Sequence, residues 1–314
     1  MVGKYINKAS EAFNTLVKAY RKKGWYFCWQ ELNKRLLPLR FVTNENVMNL
    51  HCQYKAYGFL KRKYLPKLKH LEKGSAECVE NKTIWVCWLQ GLENAPEIVV
   101  KCVDSIYRHA GDYKVVLITN DNLKEYVDIP AYVTEKLEKK RMQFAHYSDY
   151  IRISLLEKYG GVWIDSTVLM TDTIPASILS LPFFCFRTSY LSNSCCVSSN
   201  WFISSHKGDE IVRRVKFLLD EYWRNEGFLC DYYLFHLIFA LVVKVDPCGA
   251  EAWKKVPYYC NADAHTLQFE LFDEYSEDRF SLIREKSFMH KLTYKFDAGK
   301  ASLTGTNYQH ILSM

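Results

Sequence analysis

The sequence predicts an α/β fold in which a mostly parallel sheet is flanked by helices and preceded by a basic helical segment. Three observations predict it. Two strand, loop and helix patterns follow one another from residue 82 onward. A helix ends in a double glycine that leads directly into an apolar strand at 160–164. Lysine and arginine crowd the first 73 residues. With 49% hydrophobic and 25% charged residues in 314, and only 13 Gly and 8 Pro, the chain can bury a large core, which excludes a disordered or collagen-like protein. Eleven cysteines include no CxxC and no zinc-type spacing, so they are read as reduced, mostly buried thiols of a cytoplasmic protein. No stretch is apolar enough over about 20 residues to span a bilayer, and no export signal opens the chain.

Charge is unevenly placed. Residues 1–73 carry 16 Lys/Arg against 4 Asp/Glu, a net of +12, while the rest of the chain has 26 against 31. Phe13, Leu16, Val17 and Tyr20 recur at helical spacing, followed by Arg21, Lys22 and Lys23, the aromatic run from Trp25 to Trp29, and Leu36 to Phe41. Such mixing fits a helix lying on an anionic membrane surface, and equally a helical hairpin packed on the main body with a solvated basic face. A nucleic-acid arm is disfavoured because no helix-turn-helix, RRM, KH or zinc-finger pattern accompanies it. Gly74-Ser75 marks a boundary, giving a segment over 1–75 and a main domain over 76–314.

The main domain opens with KTIWVCWL at 82–89, an apolar and β-branched run of the kind buried in parallel sheets. Ile98, Val99, Cys102, Val103, Ile106 and Tyr107 then line one face of a helix that stops at Gly111. YKVVLIT at 113–119 repeats the strand pattern, and Asn120-Asp121-Asn122 turns into a short helix. Consecutive units of this kind favour a right-handed parallel arrangement with ligands beyond the carboxyl ends of the strands. Neither GxGxxG nor GxxxxGK[ST] occurs, which argues against a dinucleotide fold or a P-loop, and there is no GxSxG elbow.

The chemistry is concentrated in RMQFAHYSDYIRISLLEKYGGVWIDSTVLMT at 141–171. Ala145 to Tyr159 fit an amphipathic helix, Gly160-Gly161 ends it, and Val162-Trp163-Ile164 is a strand that delivers Asp165 at its end. Asp149 and Arg152 lie three apart on one helix face, where they can pair or jointly meet a polar ligand. Taken alone, Asp165 reads equally as a turn or N-cap residue.

The run S-D-x-x-R-x-x-x-L-x-x-x-G-G-x-[WY]-x-D, present as Ser148-Asp149 through Asp165, resembles the DXD-containing sugar-nucleotide glycosyltransferases of the GT-A fold. It is most similar to the capsular-polysaccharide-synthesis branch, related to Och1-like mannosyltransferases and clostridial glucosylating toxins. The resemblance covers about residues 82 to 296. It implies a GT-A-like sheet, with Trp88 stacking on uracil, Asp149 and Arg152 holding ribose and sugar hydroxyls, and Asp165 as the first carboxylate of the DXD motif. By the same resemblance Ser166 and Thr167, at the two positions that follow, contribute to donor binding. The sequence departs from the motif at Thr167, which stands at the second carboxylate. A Mn²⁺ or Mg²⁺ ion implied by the resemblance is then held by Asp165 with His290, through water, or weakly.

Trp201 to Ser205 reads as a strand and 209–223 as a helix with Ile211, Val212, Val215, Leu218, Leu219 and Tyr222 on one side. Asp231 opens a strongly apolar helix, as an N-cap or, by resemblance, as the residue that aligns the acceptor hydroxyl or the donor sugar. In SFMHKLTYK at 287–295 the resemblance makes His290 a metal or phosphate ligand, while Lys291 and Lys295 neutralise the leaving group. A lone histidine is otherwise most often structural. Gly299 and Gly305 would let this tail act as a lid. The domain accordingly divides into a donor half at about 80–175, an acceptor half at about 176–285 and a closing tail at 286–314.

The resemblance implies a retaining hexosyltransferase that takes a UDP-sugar and a lipid-linked oligosaccharide acceptor in capsule or exopolysaccharide assembly, peripheral at the inner face of the plasma membrane. Two other classes stay open: a toxin-like enzyme that glycosylates protein, and a catalytically silent sugar-nucleotide-binding scaffold.

Overall fold

Seven strands and the helices between them are described by a computed structural model that covers residues 45–74, 81–190 and 194–314. The basic and aromatic pattern expected over residues 1–44, and the boundary at Ser75, lie outside the described residues. The strands are β1 (Thr83–Cys87), β2 (Lys114–Ile118), β3 (Gly161–Ile164), β4 (Val168–Met170), β5 (Phe183–Arg187), β6 (Ser198–Ser205) and β7 (Met289–Lys291). Five form one sheet in the order β2-β1-β3-β6-β5. β2 and β3 pair parallel with β1, whereas β6 pairs antiparallel with β3 and β5 antiparallel with β6. Four strands therefore run one way and β6 alone runs against them.

The side-chain period of two along each strand divides the core into layers. Trp85, Val116, Trp163, Phe183, Cys185 and Ile203 face one layer. Ile84, Val86, Val162, Ile164, Phe184 and Phe202 face the other. The main helices are α1 (Glu45–Lys63), α2 (Glu97–Arg108), α3 (Phe144–Tyr159), α4 (Glu210–Asn225), α5 (Leu234–Lys244), α6 (Ala262–Phe269), α7 (Glu277–Lys286) and α8 (Asn307–Ser313). The first layer takes the apolar faces of α1, α3, α4 and α5, and the second those of α2, α6, α7 and α8. Asp209 caps α4, its Oδ1 accepting the backbone N–H groups of Ile211 at 2.9 Å and Val212 at 3.1 Å.

The described end of the basic segment is packed, not free. Ala56, Leu60 and Tyr64 are fully buried in the main core, and the Tyr64 ring lies 5.6 Å from that of Tyr222. The Tyr64 hydroxyl and the Lys63 ammonium both donate to Glu226 Oε1 at 2.5 Å, and Lys67 donates to Glu221 at 2.5 Å. Here the positive charge meets acidic groups at the end of α4, so for these residues the packed helix is the arrangement found. No described helix is long and apolar enough to cross a membrane.

Two glycines and one small sheet position the site. At Gly160 φ is +71° and at Gly161 +97°, conformations that L side chains adopt only under strain. A Cβ on Gly161 would stand 2.5 Å from the Thr83 carbonyl oxygen, and one on Gly160 2.5 Å from the Lys207 backbone nitrogen. The pair lets α3 stop abruptly and the chain thread between β1 and β6 as the central strand. Beyond it, β4 and β7 pair antiparallel, with Val168 opposite Lys291, Leu169 opposite His290 and Met170 opposite Met289. This pairing, together with the burial of Met289, Leu292, Tyr308 and Ile311, pins the C-terminal segment at both ends, leaving only the stretch between for the expected lid motion.

Candidate active site

Asp165 leaves the carboxyl end of β3 with its backbone N–H donated to Trp201 O at 2.8 Å, and its own carbonyl accepts from Val168 N at 3.0 Å. The chain therefore turns immediately after it, holding Ser166 and Thr167 buried against the body. Because β1 and β3 are parallel with Trp85 opposite Trp163, Trp88 comes to the level of Ser166. This is the end of the sheet where α/β proteins bind ligands.

Three donors converge on the Asp165 carboxylate. Oδ1 accepts from Arg152 Nη2 at 2.7 Å and from the Trp163 indole N–H at 2.8 Å, while Oδ2 accepts from Lys291 Nζ at 3.0 Å. Burial by itself would raise the carboxyl pKa, but the Lys291 and Arg152 cations outweigh it and hold Asp165 below the ordinary carboxylate range. Lys291 also donates to Thr167 Oγ1. Arg152, 4% exposed in its side chain, bridges Asp165 to Asp149, and its guanidinium lies 4.8 Å from the centre of the Trp163 ring. Asn200 Nδ2 donates to Asp149 Oδ1 at 2.8 Å. Asp149, Arg152, Asp165, Thr167 and Lys291 thus form one connected polar network, brought together from α3, β3, the turn after it and β7.

Residues 39–311 match the family described as "Capsular polysaccharide synthesis protein". The chain belongs to that family. The matched stretch takes in α1 together with the sheet, in keeping with the packing of that helix into the core. A solved structure named "PaToxG Glycosyltransferase" is similar at 14% identity and a TM-score of 0.36, over 85% of this chain and 97% of that one. No curated protein sequence matches.

Other residues expected in the site of this capsular polysaccharide synthesis protein stand around or apart from that network. His290 is fully buried, and its Nε2 lies 3.2 Å from Thr171 Oγ1. Burial, with Arg284 adding to it, pushes its pKa down to about 4, so the ring is neutral. As the strand neighbour of Lys291 it points to the opposite side of β7 and is not brought to Asp165. Asp231 is buried and closes the turn that opens α5, its Oδ1 accepting from Tyr233 N at 2.8 Å. Lys295 is exposed, its ammonium 5.6 Å from the centre of the Tyr294 ring. Trp88 is half-buried at the end of β1, and Tyr294 packs edge-on to it at 5.4 Å.

The implied divalent ion does not fit this donor set. Mn²⁺ and Mg²⁺ need oxygen ligands free to coordinate. Asp165 Oδ1 already accepts two hydrogen bonds, and the place beside Oδ2 and the Thr167 hydroxyl is taken by the Lys291 ammonium. Among the described residues no group of three or more His, Cys, Asp or Glu is arranged to hold a metal.

One participant escapes sequence reasoning, and one histidine lies near the network. Asn200 sits on the antiparallel strand β6 and carries no motif. His236, one turn into α5, lies within the field of Asp149, Arg152 and Asp165, and burial pushes its pKa down to about 4 against the opposing pull of Asp149. A single histidine in an apolar helix gives no signal by itself. Burial pushes the Cys87 thiol up to about 12, so it is held protonated.

Proposed function

We propose that this protein is a glycosyltransferase that moves a hexose from a UDP-sugar, with retention of configuration, to a lipid-linked oligosaccharide during capsule or exopolysaccharide assembly. The observation that carries the reading is Asp165 at the carboxyl end of β3, held between Arg152 and Lys291. A sugar–diphosphate bond breaks with its electron pair passing to a phosphate oxygen, so catalysis needs fixed positive groups where that charge develops. Arg152 and Lys291 supply them, and Asp165 fixes both in place. Asp149, steadied by Asn200, has a carboxylate oxygen for ribose or sugar hydroxyls, and Trp88 offers its ring to the uracil. The acceptor hydroxyl oxygen forms the new bond to the sugar carbon, and its proton leaves with the departing diphosphate.

Family membership supports a place in capsule synthesis, and the basic charge of the first 73 residues supports work beside an anionic inner membrane face and a lipid-linked acceptor. The test is UDP release and sugar transfer with a panel of sugar nucleotides. Asp165→Ala is expected to abolish turnover while keeping the wild-type circular dichroism spectrum. A panel that releases no nucleotide with any donor, or an Asp165→Ala variant as active as wild type, overturns the reading.

A further inference from the structure

We infer that Lys291 takes the place of the divalent cation at the diphosphate, so that transfer proceeds without a metal ion. The inference rests on the donor reading above. Its basis is the occupancy of the one carboxylate at the strand end. Asp165 Oδ2, the oxygen facing away from Arg152 and Trp163, accepts from Lys291 Nζ at 3.0 Å, and the same ammonium bonds Thr167 Oγ1. An ion entering between Asp165 and Thr167 would meet a positive charge already seated there.

The charge balance is consistent with this. A strand-end turn with two carboxylates and a divalent ion is neutral. One carboxylate, a threonine hydroxyl and one ammonium are neutral as well. Without nucleotide, adding a divalent ion to the present set would leave two uncompensated positive charges in a half-buried site, where the side chains of Asp165 and Lys291 are 22% and 19% exposed, so no ion is expected there before the diphosphate arrives.

The position of Lys291 is built into the backbone. It pairs with Val168 across β4 and β7, and the next N–H, that of Leu292, donates to Thr167 O at 2.8 Å. The ammonium is therefore anchored to the same turn that carries Asp165, as a coordinated ion would be. When the sugar–oxygen bond breaks, the electron pair goes to the β-phosphate oxygen. Lys291 donates a hydrogen bond to that oxygen while staying protonated, and the acceptor's proton completes the balance.

The test uses the full chain, with calorimetric UDP binding and Mn²⁺ titration followed by electron paramagnetic resonance. Wild type is expected to bind UDP equally in EDTA and in Mn²⁺, and to bind no Mn²⁺ by itself. Lys291→Met is expected to weaken UDP binding roughly ten- to a hundredfold, the loss of a hydrogen bond to a charged group, and Lys291→Arg to restore most of it. The double variant Lys291→Met with Thr167→Asp is expected to gain Mn²⁺ binding and metal-dependent UDP binding. Thermal melting of each variant separates loss of the cation from loss of the fold. UDP binding by wild type only in Mn²⁺ overturns this inference and leaves the donor reading standing. No UDP binding with or without Mn²⁺ overturns the donor reading and this inference with it.

Discussion

Trp163 donates its indole N–H to Oδ1 of Asp165 at 2.8 Å, two residues further along the same strand. The period of two puts both side chains on one side of β3, and the ring also lies beneath the Arg152 guanidinium. One aromatic residue thus orients both the strand-end carboxylate and the cation that pairs with it. Trp163→Phe keeps an aromatic ring near Arg152, removes the hydrogen bond and leaves part of a buried volume empty, so its melting temperature is measured alongside its kinetics. A bond to a charged group contributes roughly 1.5–3 kcal/mol, so kcat/KM for UDP-sugar turnover is expected to fall roughly ten- to a hundredfold. Steady-state kinetics of the purified variant check this, and an unchanged kcat/KM would show that Arg152 and Lys291 hold Asp165 without the indole.

Acid lability should report on His290. Its folded pKa, pushed to about 4 by burial, lies below the ordinary value near 6.5, so the unfolded chain binds more protons between those limits. Stability is therefore fully present above about pH 6.5 and is lost as pH falls toward about 4, by on the order of 3 kcal/mol for this buried ring. Urea unfolding of wild type and His290→Gln across that range is the measurement. The variant should have the shallower dependence, and parallel curves would remove His290 as the cause.

The packing of α1 sets the limit for truncation. Leu60 is fully buried in the main core, so Leu60→Ala should destabilise the whole domain by about 2–5 kcal/mol. Deleting residues 1–73 should do worse, because it uncovers Tyr222 and leaves Glu226 without Tyr64 and Lys63. Denaturant melts decide the point. A fully cooperative domain of unchanged midpoint after that deletion would show α1 to be an appendage.

Much of the site was legible because its causes are local. The double glycine is required where φ is positive and a Cβ would strike the Thr83 carbonyl, and this steric demand is visible in the sequence as Gly160-Gly161. The i, i+3 spacing of Asp149 and Arg152 puts them on one helix face, and they pair. Asn200 and His236 were not legible. Both come from elements whose own pattern records only burial, and Asn200 acquires its role from Asp149, which lies opposite it.

The sequence by itself determined β1, β2, β3 and β6 with the helices next to them, the abrupt stop at the glycines and an aspartate at a strand end, but not β4, β5 or β7. Periodicity and backbone sterics act over a few residues, and these features need nothing more. Only the tertiary structure decided which side chain meets that aspartate. Lys291 is 126 residues away in the chain, and it reaches Asp165 because β7 pairs with β4 in a register that opposes Val168 to Lys291. Neighbouring residues on a strand face opposite ways, so a slip of one residue would bring His290 to the site and bury the lysine. That choice belongs to a pairing between distant strands, where no local pattern records it.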